Sequence, residues 1–171
     1  MKNYQLLLAA SILVAFASCS PNTTSTDNNS VNADSVSTQA EEKLLYAKMN
    51  IKADIKQGDS VLLKFTVYNP ADTAMQFCKW HTPFEPLISK YLDITDENGN
   101  EVAYQGAMAK RVMPPPADSY LKVQPGDSLA VTVDVLKGYA ITKPATYTLK
   151  YSGQNMSGLI VKDSVVFVYG K

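Results

Sequence analysis

Gln57-Gly58-Asp59-Ser60-Val61-Leu62-Leu63-Lys64-Phe65-Thr66-Val67-Tyr68-Asn69-Pro70 reads as turn, strand and stop in one run. Val61, Leu63, Phe65 and Val67 recur at every second position. That is the period of a strand with one face on a core. Gln57-Gly58-Asp59 turns the chain into it. Asn69-Pro70 ends it, because proline lacks the N–H a ladder needs. The same grammar returns at Gln124-Pro125-Gly126-Asp127-Ser128, which leads into Leu129, Val131, Val133 and Val135.

Working outward, Leu45, Ala47, Met49, Ile51 and Ala53 alternate with polar residues and predict a strand up to Asp54. Met75–Lys79 and Tyr91–Thr95 are strand-like. Asp96-Glu97-Asn98-Gly99-Asn100 carries an Asn-Gly hairpin signal, with Glu101–Tyr104 as the returning strand. Tyr120–Val123, Thr146–Tyr151 and Ile160–Tyr169 complete the set. Gly138–Thr142 reads as a loop with room for one helical turn, and Ser152–Gly158 as a polar turn. About eight short strands, with turns roughly every ten residues and no long helical period, predict an all-β fold. The architecture expected is an immunoglobulin-like antiparallel β-sandwich spanning residues 44–171.

The N-terminus has another character. Lys2 precedes the apolar run Leu6–Phe16, which has signal-peptide length and is short for a membrane span. It closes on Phe16-Ala17-Ser18-Cys19, small residues before a cysteine, similar to a bacterial lipobox with Phe16 at the usual leucine position. The expectation is a lipoprotein signal over residues 1–18 with Cys19 lipidated; an ordinary secretory signal with an incidental cysteine is the other reading. Residues 19–43 are rich in Ser, Thr, Asn and Asp and predict a disordered tether. The chain has two cysteines. With Cys19 lipidated, Cys78 has no partner in the chain and reads as a small buried hydrophobe.

The formal net charge is zero, which supplies no basic footprint for nucleic acid. Phosphate-cradling glycine loops are missing from the sequence. The sole histidine, His81, excludes a His-Glu-x-x-His zinc site. His81 and Glu85 alone are too few ligands for zinc. No catalytic residue, metal or cofactor is therefore expected.

Two irregular stretches interrupt the strands. Cys78-Lys79-Trp80-His81-Thr82-Pro83-Phe84-Glu85 holds the only tryptophan and the only histidine. Trp80, His81, Phe84 and Glu85 read as loop anchors, the indole covering a sheet end and the imidazole bonding a backbone group. The second stretch runs from Tyr104 through Gly106 and Met108-Ala109-Lys110-Arg111 to Pro114-Pro115-Pro116. The prolines favour a stiff polyproline II segment. Met108, Ala109, Lys110 and Arg111 are the expected partner-binding residues, with Lys110 central. Two solvated cations on a flexible loop are the alternative.

Lys79–Glu85, Asp96–Val102, Tyr104-Gln105-Gly106, Lys110-Arg111, Pro125–Ser128, Lys137-Gly138-Tyr139 and Lys143–Tyr151 occur together and in order. The set resembles the N-terminal propeptide of the aspzincin peptidyl-Lys metalloendopeptidases, the deuterolysin-like family, over roughly Leu45 to Tyr169. Pro86 stands where that family often has glycine. The resemblance implies a domain that assists folding of a lysine-specific zinc peptidase and keeps it latent. The sequence ends at Lys171 with no catalytic domain after it, so the expectation is a module that restrains such a peptidase in trans. The partners expected are that peptidase, or a similar secreted protease, and a membrane through the lipid. The protein is expected to be a monomer in the bacterial cell envelope, on the periplasmic face. A general envelope module that binds ligands or proteins without inhibiting anything is the alternative.

Overall fold

The computed structural model describes residues 43–85 and 87–170. The signal segment, Cys19 and nearly all of the tether lie outside the described residues. Ala40–Lys171 forms one compact unit, and its core runs from Leu45 to Tyr169.

The strands are β1 (Tyr46–Asn50), β2 (Asp54–Ile55), β3 (Leu62–Tyr68), β4 (Met75–Cys78), β5 (Leu92–Asp96), β6 (Tyr120–Val123), β7 (Ser128–Asp134), β8 (Ala145–Tyr151) and β9 (Val165–Tyr169). One sheet has the order β1-β3-β7 and the other β2-β9-β8-β5, while β4 and β6 pair separately. All pairings are antiparallel except β2 with β9. The fold is the all-β, sandwich-like arrangement that the alternation predicts.

The inner faces carry the apolar half of each alternation. Leu63, Phe65 and Val67 of β3 are fully buried, as are Leu92 and Ile94 of β5 and Leu149 of β8. Each such side chain contributes about 1.5–3 kcal/mol by leaving water. Where β3 ends, Asn69 is buried. Its Nδ2 donates to the carbonyls of Thr73, Val123 and Gln124, and its Oδ1 accepts from the N–H of Ala71. One amide thus joins the β3–β4 and β6–β7 connections and satisfies backbone groups at a place where proline stops the ladder.

Several boundaries differ from the sequence reading. The strand expected over Leu45–Asp54 is two pieces: β1 pairs with β3, and β2 crosses over to pair with β9. The returning strand expected at Glu101–Tyr104 is reduced to bridges. Glu101 meets Thr95, and Tyr104 meets Tyr139 instead of continuing along β5. The helical turn near Gly138 lies slightly earlier, at Val135–Lys137, capped by the Asp134 side chain. The polar turn at Ser152–Gly158 holds a short helix, α1 (Gln154–Ser157). Among the described residues no helix is long and apolar enough to cross a membrane.

Candidate binding face

The segment leading out of β4 folds into a tight knot because its polar groups find partners locally. Thr82, fully buried, donates its hydroxyl to the Lys79 carbonyl at 2.6 Å, and its Oγ1 accepts from the N–H of Phe84. The N–H of Glu85 bonds the Thr82 carbonyl. Phe84 stands edge-on to both Phe65 and Phe77, with ring centroids at 6.4 and 5.3 Å. Trp80 is 6% exposed. Trp80 is thus buried, and Phe84 is half-buried against the core.

Two non-glycine residues bracket this knot in left-handed backbone, His81 at φ 56 and Leu87 at φ 43. Such conformations cost on the order of 1–3 kcal/mol each and persist only where surroundings impose them. At His81 the constraint is visible. Its carbonyl accepts the Tyr151 hydroxyl at 2.9 Å, and that hydroxyl also meets Ser157 Oγ at 2.8 Å. Gly153 lies against the same carbonyl: a Cβ there would stand 2.2 Å from the His81 oxygen and 2.7 Å from the Tyr151 hydroxyl. The tie between His81 and the sheet runs through its main chain, where the imidazole was expected to make it. Burial and the positive charge of Arg111 lower the imidazole pKa below 6.5, with Glu85 opposing them. Burial likewise raises the Tyr151 phenol.

The second irregular stretch lies on the first and is attached along its length. At its start, the Tyr104 hydroxyl sits 2.7 Å from the Leu87 carbonyl and 2.8 Å from the Ala107 carbonyl. Its ring stands edge-on to Tyr139 at 5.1 Å. Gly106 leaves room for that hydroxyl, which a Cβ would meet at 2.3 Å. In the middle, the Arg111 guanidinium pairs with the Glu85 carboxylate and lies over the Trp80 ring, 4.6 Å from its centroid. At its end, the N–H of Lys79 bonds the Ser119 carbonyl at 2.8 Å, and Lys79 Nζ reaches the Asp118 carbonyl. The Met113–Pro114 bond is cis, where a continuous polyproline II run was expected, while Pro116 holds polyproline II angles (φ −66, ψ 159).

This attachment divides residues that the sequence grouped. Lys110 is exposed and Ala109 half-buried. Arg111 is turned inward, its side chain 17% exposed. It holds the segment from beneath and is not displayed beside Lys110. Met108 is 71% exposed, and two residues that sequence reasoning passed over join it, Val112 at 78% and Met113 at 63%. Three large apolar side chains are thus exposed on one short segment. Val112-Met113 before three prolines was the signal available in the sequence.

Among the described residues no group of three or more His, Cys, Asp or Glu side chains converges to hold a metal ion. Cys78 is buried and free. A groove of about 430 Å³, lined by Lys43, Leu44, Tyr46, Lys48, Ile160 and Lys162 among others, takes in none of the predicted site residues.

A β-sandwich with a braced loop face is an arrangement compatible with protein–protein interaction. A family model for an immunoglobulin-like domain matches residues 48–162, most of the chain, and the protein belongs to that family. Domains of this family are generally non-catalytic scaffolds of a binding type. No curated protein matches the sequence.

Proposed function

We propose that this protein is a protein-binding module of the bacterial cell envelope, held on the membrane by lipid at Cys19. Its binding face is the segment 105–116. One observation carries the reading: Arg111 is fixed on Trp80 and Glu85 while Met108, Lys110, Val112 and Met113 stand in solvent on the same segment. A partner that meets a braced segment does not have to order it, which is how preorganisation raises affinity. Exposed apolar side chains around one cation suit an apolar cleft with an acidic wall.

The test is capture of partners from the organism's own envelope and secreted proteins with the Ala40–Lys171 domain as bait. A triple variant, Met108→Ser with Val112→Ser and Met113→Ser, serves as the comparison. A specific partner retained by the wild type and lost by the folded triple variant supports the reading. Identical captures by both overturn it.

A second, narrower reading is that the partner is a lysine-specific metallopeptidase, restrained when Lys110 enters its acidic pocket. The placing of Lys110 favours it: this exposed cation directly precedes the braced Arg111. Lys110→Ala should then weaken inhibition of such a peptidase at least about tenfold, as expected on removing a desolvated charge. Equal potency of the two proteins excludes this reading and leaves the broader one standing.

A further inference from the structure

Strand β7 lies at the edge of its sheet, hydrogen-bonded to β3 on one side only. The register shows which of its groups face the open side. The N–H of Val135 bonds the Val61 carbonyl and the N–H of Asn69 bonds the Asp127 carbonyl, both in line with the β3–β7 ladder. Odd-numbered residues of β7 therefore bond β3, since antiparallel strands alternate. The N–H and C=O groups of Ala130 and Thr132 point the other way. Among the described residues those groups have no main-chain partner outside the β3–β7 ladder. The inward residues Leu129 and Val131 are only half-buried, as befits an edge with no strand beyond it.

Edges of this kind are normally protected by proline, lysine, a bulge or a covering loop. From Ser128 to Val133 the strand has no proline and no charge, and it pairs in unbroken register with β3. The two five-residue edges are each partly covered: β5 by the turn after it, through Val102 to Ile94 and Asp96 to Asn100, and β1 by Ile160, whose carbonyl accepts from the N–H of Ala47.

We propose that β7 pairs with β7 of a second copy of this chain, antiparallel about a two-fold axis at Val131. The strand is complementary to itself in that register. Ala130 exchanges main-chain hydrogen bonds with the partner's Thr132, and Thr132 with the partner's Ala130. Val131 faces the partner's Val131 in the closer, non-hydrogen-bonded position, on the inward side. Leu129 packs against the partner's Val133, so the half-buried side chains are covered. Asp134, the strand's one charge, lies opposite the partner's Ser128 and meets no like charge. The two three-stranded sheets become one continuous sheet around a closed two-fold. This departs from the monomer expected from the sequence and is independent of the face at 105–116. A single strand pair is small beside a standard interface, so the association is weak and concentration-dependent.

Sedimentation equilibrium of the Ala40–Lys171 domain tests it, since that unit contains its own core. The wild type should move from monomer to dimer between about 10 and 500 µM. Ala130→Pro removes an outward N–H, a change an edge strand tolerates, and should leave a folded monomer at every concentration. Thr132→Pro gives the same reading from the neighbouring group should Ala130→Pro fail to fold. Val131→Cys should cross-link to a covalent dimer under mild oxidation. A wild type that stays monomeric throughout, or a dimer that survives in a folded proline variant, overturns the proposal.

Discussion

The guanidinium of Arg111 lies over the indole of Trp80, 4.6 Å from the ring centroid, and pairs with Glu85 at the same time. The two partners lie thirty-one positions apart in the chain, and the contact joins the two irregular stretches of the domain. Arginine suits the position because its planar fork stacks on an aromatic face while still bonding a carboxylate.

Arg111→Ala removes both contacts and leaves Glu85, 12% exposed, without its counter-charge. The expected loss is about 1–3 kcal/mol, smaller than for a fully buried pair. Arg111→Lys should recover only part of it. Urea midpoints of Arg111→Ala, Glu85→Gln and the double variant check this. Their coupling should be on the order of 1 kcal/mol, and additive effects would show that the pair is not formed.

Trp80→Ala should destabilise the domain by about 3–5 kcal/mol, the usual cost of truncating a buried aromatic. Against a total stability of ~5–15 kcal/mol, the shift is large enough to read directly in urea. Phe84→Ala, half-buried but in contact with Phe65 and Phe77, should cost less.

Gly153→Ala drives a methyl group into the His81 carbonyl. Neither the oxygen nor the Tyr151 ring beside it can withdraw without breaking their hydrogen bond. A loss of about 1–3 kcal/mol is expected. Thermal melts compared with Asn155→Ala, an exposed position in the adjoining helix, separate this clash from any effect on α1.

His81 supplies a pH dependence with a definite sign. Burial, then Arg111, hold its pKa below 6.5 in the folded protein. The unfolded chain therefore takes up a proton first, and stability falls as pH drops below 6.5. The contribution is fully present above that value. His81→Gln should flatten the fall of stability as pH drops below 6.5. An unchanged slope would show that the imidazole is not desolvated.

Much of the sandwich was legible because alternation reports burial of one face, and Leu62–Tyr68 or Ser128–Asp134 carry it cleanly. Alternation does not say which sheet a strand joins. Both sheets turn their inner faces to the same core, so Leu45–Asp54 kept one unbroken pattern while crossing from β3 to β9. The Asn98-Gly99 turn was readable, but Tyr104 left the expected returning strand for Tyr139, a tertiary contact without local signature. At the binding face the loops themselves stood out by their prolines and rare residues. The inward turn of Arg111 did not, since it depends on a tryptophan and a glutamate far away in the chain. Val112 and Met113 carry a sequence signal only in their place before three prolines; the attachment on either side shows that they are displayed.

Site-specific photo-cross-linking in living cells tests the account most directly. A photoreactive residue at Val112 should give a discrete cross-linked partner, and the same residue at Val166, also exposed but on β9, should not. Introducing Arg111→Ala into the Val112 probe should reduce the product by at least about tenfold, because the segment loses the contact that holds it. No product at Val112, or one equally strong at Val166 or without Arg111, would contradict a binding face at 105–116.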